Sequence, residues 1–411
     1  MNVKKIIYEF FEYIIALVLV LECRSIFNNM PETRTVFWRW MMGALFVSVI
    51  FCIAVKRRLT RKSLNDFGAA IAILALYFVI YVVASGYNIV NFRIYLTVVA
   101  ILAAFCLLCC DTRGMQSLLL KYSNIICIIA AVSLFFWLFG SVIGILSPTG
   151  TVLMNWVGTG KDASYSSYYN IYFEVQPLNN SFLSAIKYKN TALFVEAPMF
   201  SLHLSLALLI ELFVKEKLNK IRCVLLVVTI LTTFSTSGYI LTIFAIGIST
   251  FLTTDKNLKQ ILMLLSPLII ITVAMIAYNL VFAKLSNLSG LTRMDDFIVG
   301  WKIFRKHPLM GVGYDNYLYL QSQMSSWRSN SLGMSSSLMM ILSYGGLYFF
   351  TPYAICMYFG MKSDVKTKVF TILLIYLWII TVFPFQYIFA LLCMYLASTE
   401  HKTKNFVTIY N

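Results

Sequence analysis

The chain has 411 residues, is 60% hydrophobic and only 12% charged, and carries a formal net charge of +16. Its mean hydropathy is +0.80. Soluble domains carry about 25% charged residues, so a soluble enzyme or binding module is excluded, and the excess of Lys and Arg reads as membrane topology rather than nucleic-acid binding.

Apolar runs of ~17–25 residues recur along the chain, long enough to cross ~30 Å of hydrocarbon as helices. They lack the short apolar/polar alternation of barrel strands. The expected fold is an all-α polytopic membrane protein of about 12 transmembrane helices, a single integral membrane domain over residues 1–411. The spans are drawn at 6–21, 36–55, 67–84, 92–110, 122–146, 191–213, 221–235, 238–253, 261–282, 336–359, 369–382 and 385–398. The first is read as a retained helix, since Glu9 and Glu12 interrupt its start and no small-residue cleavage site comes after it.

Basic residues fix the orientation. Lys56, Arg57, Arg58, Arg61 and Lys62, then Lys215, Lys217, Lys220 and Arg222, then Lys362, Lys366 and Lys368 fall in short loops of one side. The positive-inside rule makes that side cytoplasmic, with both termini inside. Two long loops, 147–190 and 283–335, then face outward. ATP and nucleotide sugars are not available there, so an outward-facing enzyme needs a donor already activated and carried across. No P-loop or dinucleotide fingerprint is present. Cys106-Leu-Leu-Cys109-Cys110 has the spacing of a metal or redox pair, but no His, Asp or Glu accompanies it in the run, and no metal site or cofactor is expected.

Three clusters could carry chemistry. The first closes the first loop: Lys187-Tyr-Lys189, then Phe194-Val-Glu196-Ala-Pro198. Glu196 falls inside the expected apolar span, where a carboxylate is costly and so a functional candidate. Pro198 suggests a distorted first turn. His203, further in, reads as a packed or hydrogen-bonded residue. Tyr165, Tyr168, Tyr169 and Tyr172 suit either sugar stacking or interfacial anchoring. The second cluster, Ser235-Thr-Ser237-Gly238, sits between two short spans as a polar niche or an ordinary turn.

The third runs from Thr292 to Asn316. Thr292-x-x-Asp295 reads as a capping box opening a short helix. Phe297, Trp301 and Phe304 repeat on one face, with Arg293 on that face and Lys302, Arg305 and Lys306 largely off it. This describes an amphipathic helix lying in the interface. It stops at His307, because the residue before Pro308 disfavours α. Gly311-x-Gly313 then gives a tight turn whose N–H groups could approach an anion. A cover that only binds anionic headgroups fits the same periodicity.

In this order the clusters resemble the Wzy-type O-antigen and capsular polysaccharide polymerases, whose superfamily includes the O-antigen ligases. The resemblance rests on Lys189 with Phe194-Val-Glu196-Ala-Pro198, on Ser235-Thr-Ser237-Gly238, and on Arg293, Gly300, Phe304, His307-Pro308, Gly311-x-Gly313 and Asn316. It departs from the family pattern in the first loop, which has no arginine: Lys189 stands where an Arg is usual, and Ala192 where a Gly is usual.

The resemblance implies a metal-independent glycosyltransferase of the cytoplasmic membrane. It would polymerise undecaprenyl-diphosphate-linked oligosaccharide repeat units into O-antigen, capsule or exopolysaccharide. Its partners would be those lipid-linked glycans, the lipid bilayer, and a flippase and chain-length regulator of the same pathway, with no nucleic acid. Arg293 and Lys189 would neutralise the diphosphate, His307 or Glu196 would orient or deprotonate the acceptor hydroxyl, and Arg305, Gly311, Gly313, Asn316 and Ser237 would shape the substrate site. A ligase transferring finished glycan is the alternative within the superfamily. A flippase or transporter of the same lipid is the alternative outside it, although the ionisable residues concentrate in loops and no internal repeat is visible.

Overall fold

A computed structural model of the protein describes residues 3–56, 59–110, 112–155, 162–178, 186–254, 275, 288–328 and 333–399. Its helices are α1 (Val3–Glu22), α2 (Arg34–Lys56), α3 (Arg61–Ala84), α4 (Ile89–Ala104), α5 (Thr112–Phe136), α6 (Ala197–Leu209), α7 (Lys220–Thr232), α8 (Thr236–Thr253), α9 (Leu288–Lys306), α10 (Tyr317–Ser322), α11 (Ser337–Lys362), α12 (Val365–Ile380) and α13 (Tyr387–Ser398). Among the described residues seven helices are long and apolar enough to cross a membrane: Arg34–Lys56, Arg61–Ala84, Ile89–Cys109, Gly114–Val142, Ala197–Val214, Thr236–Thr253 and Ser337–Lys362. The chain is a multi-pass, all-α membrane protein. The spans expected at 6–21, 221–235, 369–382 and 385–398 are apolar helices too, and the one at 261–282 lies outside the described residues.

The helix at the centre is α6. Every residue from Met199 to Val214 is buried, because apolar side chains surround the whole helix rather than one stripe of it. Phe194 and His203 stack at 4.3 Å between ring centroids, and His203 is held on both nitrogens, by the Tyr122 hydroxyl at 2.6 Å and the Cys23 carbonyl at 3.2 Å. It is a hydrogen-bonded core residue, as its sequence context suggests. At the far end of α6, Glu211 pairs with Lys215 (2.7 Å) and Arg222 (3.1 Å). Nearby, Glu12 of α1 pairs with Lys121 of α5 (2.5 Å). A buried carboxylate needs such a partner, since transfer out of water leaves it uncompensated.

At the opposite end, which we call the loop end, the first loop is not irregular. It folds into a three-stranded antiparallel sheet, β1 (Gly150–Asn155), β2 (Asp162–Tyr168) and β3 (Tyr172–Glu174), in the order β1-β2-β3. The sheet rests on a wide, π-helical turn, Trp137–Val142, that extends α5. There Ser141 donates to the Glu174 carboxylate at 2.8 Å and Tyr168 donates to it at 3.1 Å. Tyr168 and Tyr172 are therefore buried, and of the four loop tyrosines Tyr169 is the exposed one.

The second loop is built on α9. This helix already runs from Leu288, so Thr292 lies within it and the expected capping box is not its start. Asp295 turns inward instead. It and Asp296 grip Arg328, whose side chain is 0% exposed, at 3.1 and 2.6 Å. Ser325 donates to Asp295 and Ser335 to Asp296, both at 2.6 Å. Burial opposes ionisation of Asp295, but the hydrogen bonds from Ser325 and Arg328 outweigh it and hold its pKa below the ordinary carboxyl value. The buried face of α9 is thus Gly290, Thr292, Asp295, Asp296, Val299, Gly300 and Ile303. Phe297 and Phe304 flank it and Trp301 is exposed, so the expected aromatic stripe is the border of the packing face rather than its centre. Gly300 lets α9 approach Met339 of α11 closely.

Arg328→Met would leave two buried carboxylates with no cation. It should destabilise the protein by about 3–5 kcal/mol, read as a lowered melting temperature of the detergent-purified chain, with Asp296→Asn less severe.

Candidate functional site

The start of α6 places Glu196. The helix begins at Ala197, later than the expected span, and Glu196 is its N-cap in extended conformation (φ −158°, ψ 154°) rather than a residue within the span. An N-cap carboxylate ordinarily accepts the first free N–H groups of its own helix. This one does not. The amide oxygen of Gln176 accepts from Ala197 N at 3.0 Å, and the Gln176 carbonyl accepts from Lys189 N at 3.0 Å. Gln176 therefore binds the first N–H of α6 and orders the Lys189 segment at once; with Pro198 lacking an N–H and Met199 N bonded to the Glu196 carbonyl at 3.1 Å, the Glu196 carboxylate is left available.

Three cations act on that carboxylate: Arg24, Arg293 and Lys189. Lys189 comes from the first loop and Arg293 from α9 of the second, so the two clusters read from the sequence converge on one carboxylate. Arg24 belongs to neither cluster. It lies just past the end of α1, is half-buried, and takes a left-handed conformation (φ 57°). Val195 N donates to its carbonyl at 3.2 Å, Ile26 N donates to Leu193 O at 2.9 Å, and Ser25 bridges Phe194. A sequence reading has no local signal for this residue, because its partner segment lies about 170 positions further on. The one clue is its place: a lone Arg at the loop end of the first apolar helix.

Among the described residues none of the three cations forms a direct ion pair or hydrogen bond with Glu196. Arg293 donates one Nη1 bond, to the carbonyl of Ile380 at the end of α12 (2.8 Å). The guanidinium of Arg24 and the ammonium of Lys189 have no hydrogen-bond acceptor among the described residues. Burial raises the pKa of Glu196 above the ordinary carboxyl value, against the lowering by Arg24, Arg293 and Lys189. Burial likewise lowers that of Lys189, against the raising by Glu196.

The remaining candidates fall elsewhere. The Ser237 hydroxyl is tied to that of Ser235 at 2.9 Å, and Gly238 beside it packs on Ser201, in the second turn of α6. Arg305 is exposed on the outward face of α9. His307 ends α9, as expected, but it lies roughly 20 Å along the helix axis from Arg293. It is exposed and meets Tyr319, whose hydroxyl lies 3.4 Å from Nε2.

The glycine turn differs from expectation. Helix α11 is broken at Gly346 (φ 55°, ψ −144°), which strips two carbonyls and two N–H groups of their helical partners. The turn supplies all four. Val312 N and Gly313 N donate to Ser343 O and Tyr344 O, both at 2.9 Å; Leu347 N and Tyr348 N donate to Pro308 O (2.8 Å) and Leu309 O (3.0 Å). Gly311 N donates to His307 O at 3.1 Å. The N–H groups expected to face an anion are thus engaged by carbonyls. Gly311 (φ 61°) and Gly313 (φ 100°) are required by close approach to the α11 backbone and to Tyr87. Asn316 is structural as well: it donates to Val312 O at 2.7 Å and caps α10.

This geometry makes two substitutions informative. Gly311→Ala should lower thermal stability sharply, because a Cβ there meets the backbone of Tyr344 and Gly345, which cannot yield. Glu196→Gln should do the opposite at neutral pH. Its carboxyl titrates above the unfolded value, so ionisation favours the unfolded chain as pH rises through that interval. The variant should melt higher than wild type at pH 7.5, with the gain vanishing below about pH 4, where both side chains are neutral; an equal difference at both pH values would refute it.

Comparison with curated proteins finds no match. A family model does match within the chain, over residues 221–340, a stretch that includes Ser237, Arg293, His307 and the glycine turn but not Arg24, Lys189 or Glu196. That family is described as O-Antigen ligase, and the match supports membership of this multi-pass membrane chain in the O-antigen ligase/polymerase superfamily.

Proposed function

We propose that the protein polymerises undecaprenyl-diphosphate-linked oligosaccharide repeat units on the outer face of the cytoplasmic membrane, with both termini inside. The observation that supports this is the convergence of Lys189 and Arg293, from separate loops, on a half-buried carboxylate that neither of them neutralises by direct contact. Such a niche suits an anion brought to a membrane surface next to a proton acceptor.

In the reaction the terminal hydroxyl of one glycan attacks the anomeric carbon of another. The bond from that carbon to the diphosphate oxygen breaks, and its electron pair leaves on the lipid diphosphate, which gains a negative charge. Arg293 and Lys189 stabilise that charge as it develops. Arg293 suits the task, since Ile380 fixes one arm of its fork and orients the rest. Glu196 takes the proton of the attacking hydroxyl; burial raises its basicity toward neutral pH, where a general base is most effective. His307, at the other end of α9, is too far to share that proton. It serves with Tyr319 as a contact for the distal part of a glycan lying along the helix. Arg305, Ser237 and the clasped glycine turn support the substrate site without touching the reacting bond. No metal is invoked.

The description of the matched family favours a second reading, in which a finished glycan is transferred to a different acceptor. The chemistry at Glu196 would be the same. Reconstitution with a defined lipid-linked repeat unit separates the two. A polymerase yields a ladder of lipid-linked products; a ligase leaves the unit unextended until its acceptor is added. In the ladder assay Arg293→Ala and Glu196→Gln should each reduce turnover by about 100-fold or more, whereas His307→Ala should act mainly through KM for the acceptor. Normal ladders from Arg293→Ala or Glu196→Gln would refute the assignment.

A further inference from the structure

Arg24 lies where neither the family match nor the loop motifs reach, and its setting is built rather than incidental. A non-glycine residue in the left-handed region is strained, and Arg24 holds that conformation at φ 57°. Here the backbone is held there by the pairing of residues 24–26 with 193–195. The same pairing sets Arg24 beside Val195, adjacent in sequence to Glu196. Arg24 is half-buried, its guanidinium has no hydrogen-bond acceptor among the described residues, and it is the first of the cations that act on Glu196. Glu22 also lies near Arg24 and accepts from Tyr387 N at 3.2 Å, but burial pushes its pKa up to about 8, so it is protonated at neutral pH and adds no charge to the niche.

Charge decides what such a group is for. Arg24, Arg293 and Lys189 against Glu196 leave an excess of two positive charges in a partly desolvated niche. A sugar diphosphate lipid, a diphosphate diester, carries two negative charges and matches that excess. After transfer Glu196 holds a proton and is neutral, so the excess is three, and the departing lipid diphosphate carries three. The balance holds on both sides of the reaction only if Arg24 is counted. With Arg293 and Lys189 alone the niche would be short by one charge throughout, and the only guanidinium in it would already have one arm committed to Ile380. Lys189 contributes a point charge and no fork. Arg24 contributes the free fork that two adjacent phosphates require.

We propose that Arg24 is a diphosphate-binding residue, the third cation of the cradle that Arg293 and Lys189 form around Glu196. This rests on the reading above that a diphosphate-linked lipid occupies this niche.

The test measures binding by the full-length chain in neutral detergent, so it does not depend on which acceptor the enzyme uses. Melting temperature is monitored against inorganic pyrophosphate, farnesyl diphosphate and phosphatidylglycerol, for wild type, Arg24→Gln, Arg24→Lys and Lys302→Gln. Lys302 is exposed on the outward face of α9 and controls for surface charge. Both diphosphates should raise the melting temperature of wild type and Lys302→Gln. Arg24→Gln should bind about tenfold more weakly or worse, as expected for loss of a charge-assisted hydrogen bond, with Arg24→Lys between. Because glutamine tolerates the same backbone, an unliganded melting temperature close to wild type would show that the loss is not one of folding.

If Arg24→Gln binds both diphosphates as wild type does, Arg24 has no such role, while the proposed function stands. If wild type responds to neither diphosphate, the occupant of the niche is wrong and both ideas fall. If phosphatidylglycerol gives the same shift with the same dependence on Arg24, the niche is a headgroup site and the diphosphate assignment is overturned.

Discussion

The first turn of α6, with Pro198 in its second position and Gln176 bonded to its first N–H, relieves the Glu196 carboxylate of the capping task that helix geometry ordinarily imposes. A carboxylate at an N-cap ordinarily accepts from the second or third N–H of its own helix; here the second residue is Pro198, which has none, Met199 N is bonded to the Glu196 carbonyl at 3.1 Å, and Ala197 N is taken by Gln176. Because the carbonyl of the same glutamine also fixes Lys189, one residue holds both the start of the helix that carries Glu196 and one of the cations near it. The neighbouring segments are tied to the same point. The β-bridge at Phe194 brings the end of α1, and with it Arg24, to the start of α6. Asn190 binds Thr232 and Ser133, tying the Lys189 segment to α7 and α5.

The second loop is held by different physics. Its helix α9 is anchored by a buried ionic knot of Arg328 with Asp295 and Asp296, which fixes its rotation and so the direction of Arg293. Hydrophobic burial alone would fix that rotation poorly, since α9 has an apolar border rather than a broad apolar face. The niche around Glu196 is thus assembled from three independently anchored backbone segments.

Much of this is legible in the sequence, and the parts that are not share a cause. Long apolar runs give helices almost without regard to context, because a backbone in hydrocarbon has few alternatives. The stop of α9 at His307 is local stereochemistry, fixed by Pro308. Arg293, Lys189 and Glu196 stand out as ionisable residues at or near apolar spans. By contrast, Asp295 reads as a cap because its near neighbours fit a capping box, while its true partner, Arg328, lies 33 residues on. The glycine turn reads as an anion nest because its N–H groups look free; their acceptors lie in a helix break that Gly346 alone does not announce. Ala192 is a residue-level instance: at φ 49° it holds a conformation that glycine adopts more easily. Its unusual identity is visible in the sequence, its strained backbone is not. Arg24 belongs with these, being defined by a pairing between segments far apart in the chain.

The break in α11 has a bearing on how the chain is made. A helix entering a membrane with two bare carbonyls and two bare N–H groups would be penalised by several kcal/mol for each unsatisfied group. Residues 308–313 are synthesised before α11, so the complement to its kink is in existence before the kink itself. The bent form of α11 is therefore a product of assembly, accessible once the preceding loop has docked. The order of the chain thus makes the second loop a template for the helix that comes after it.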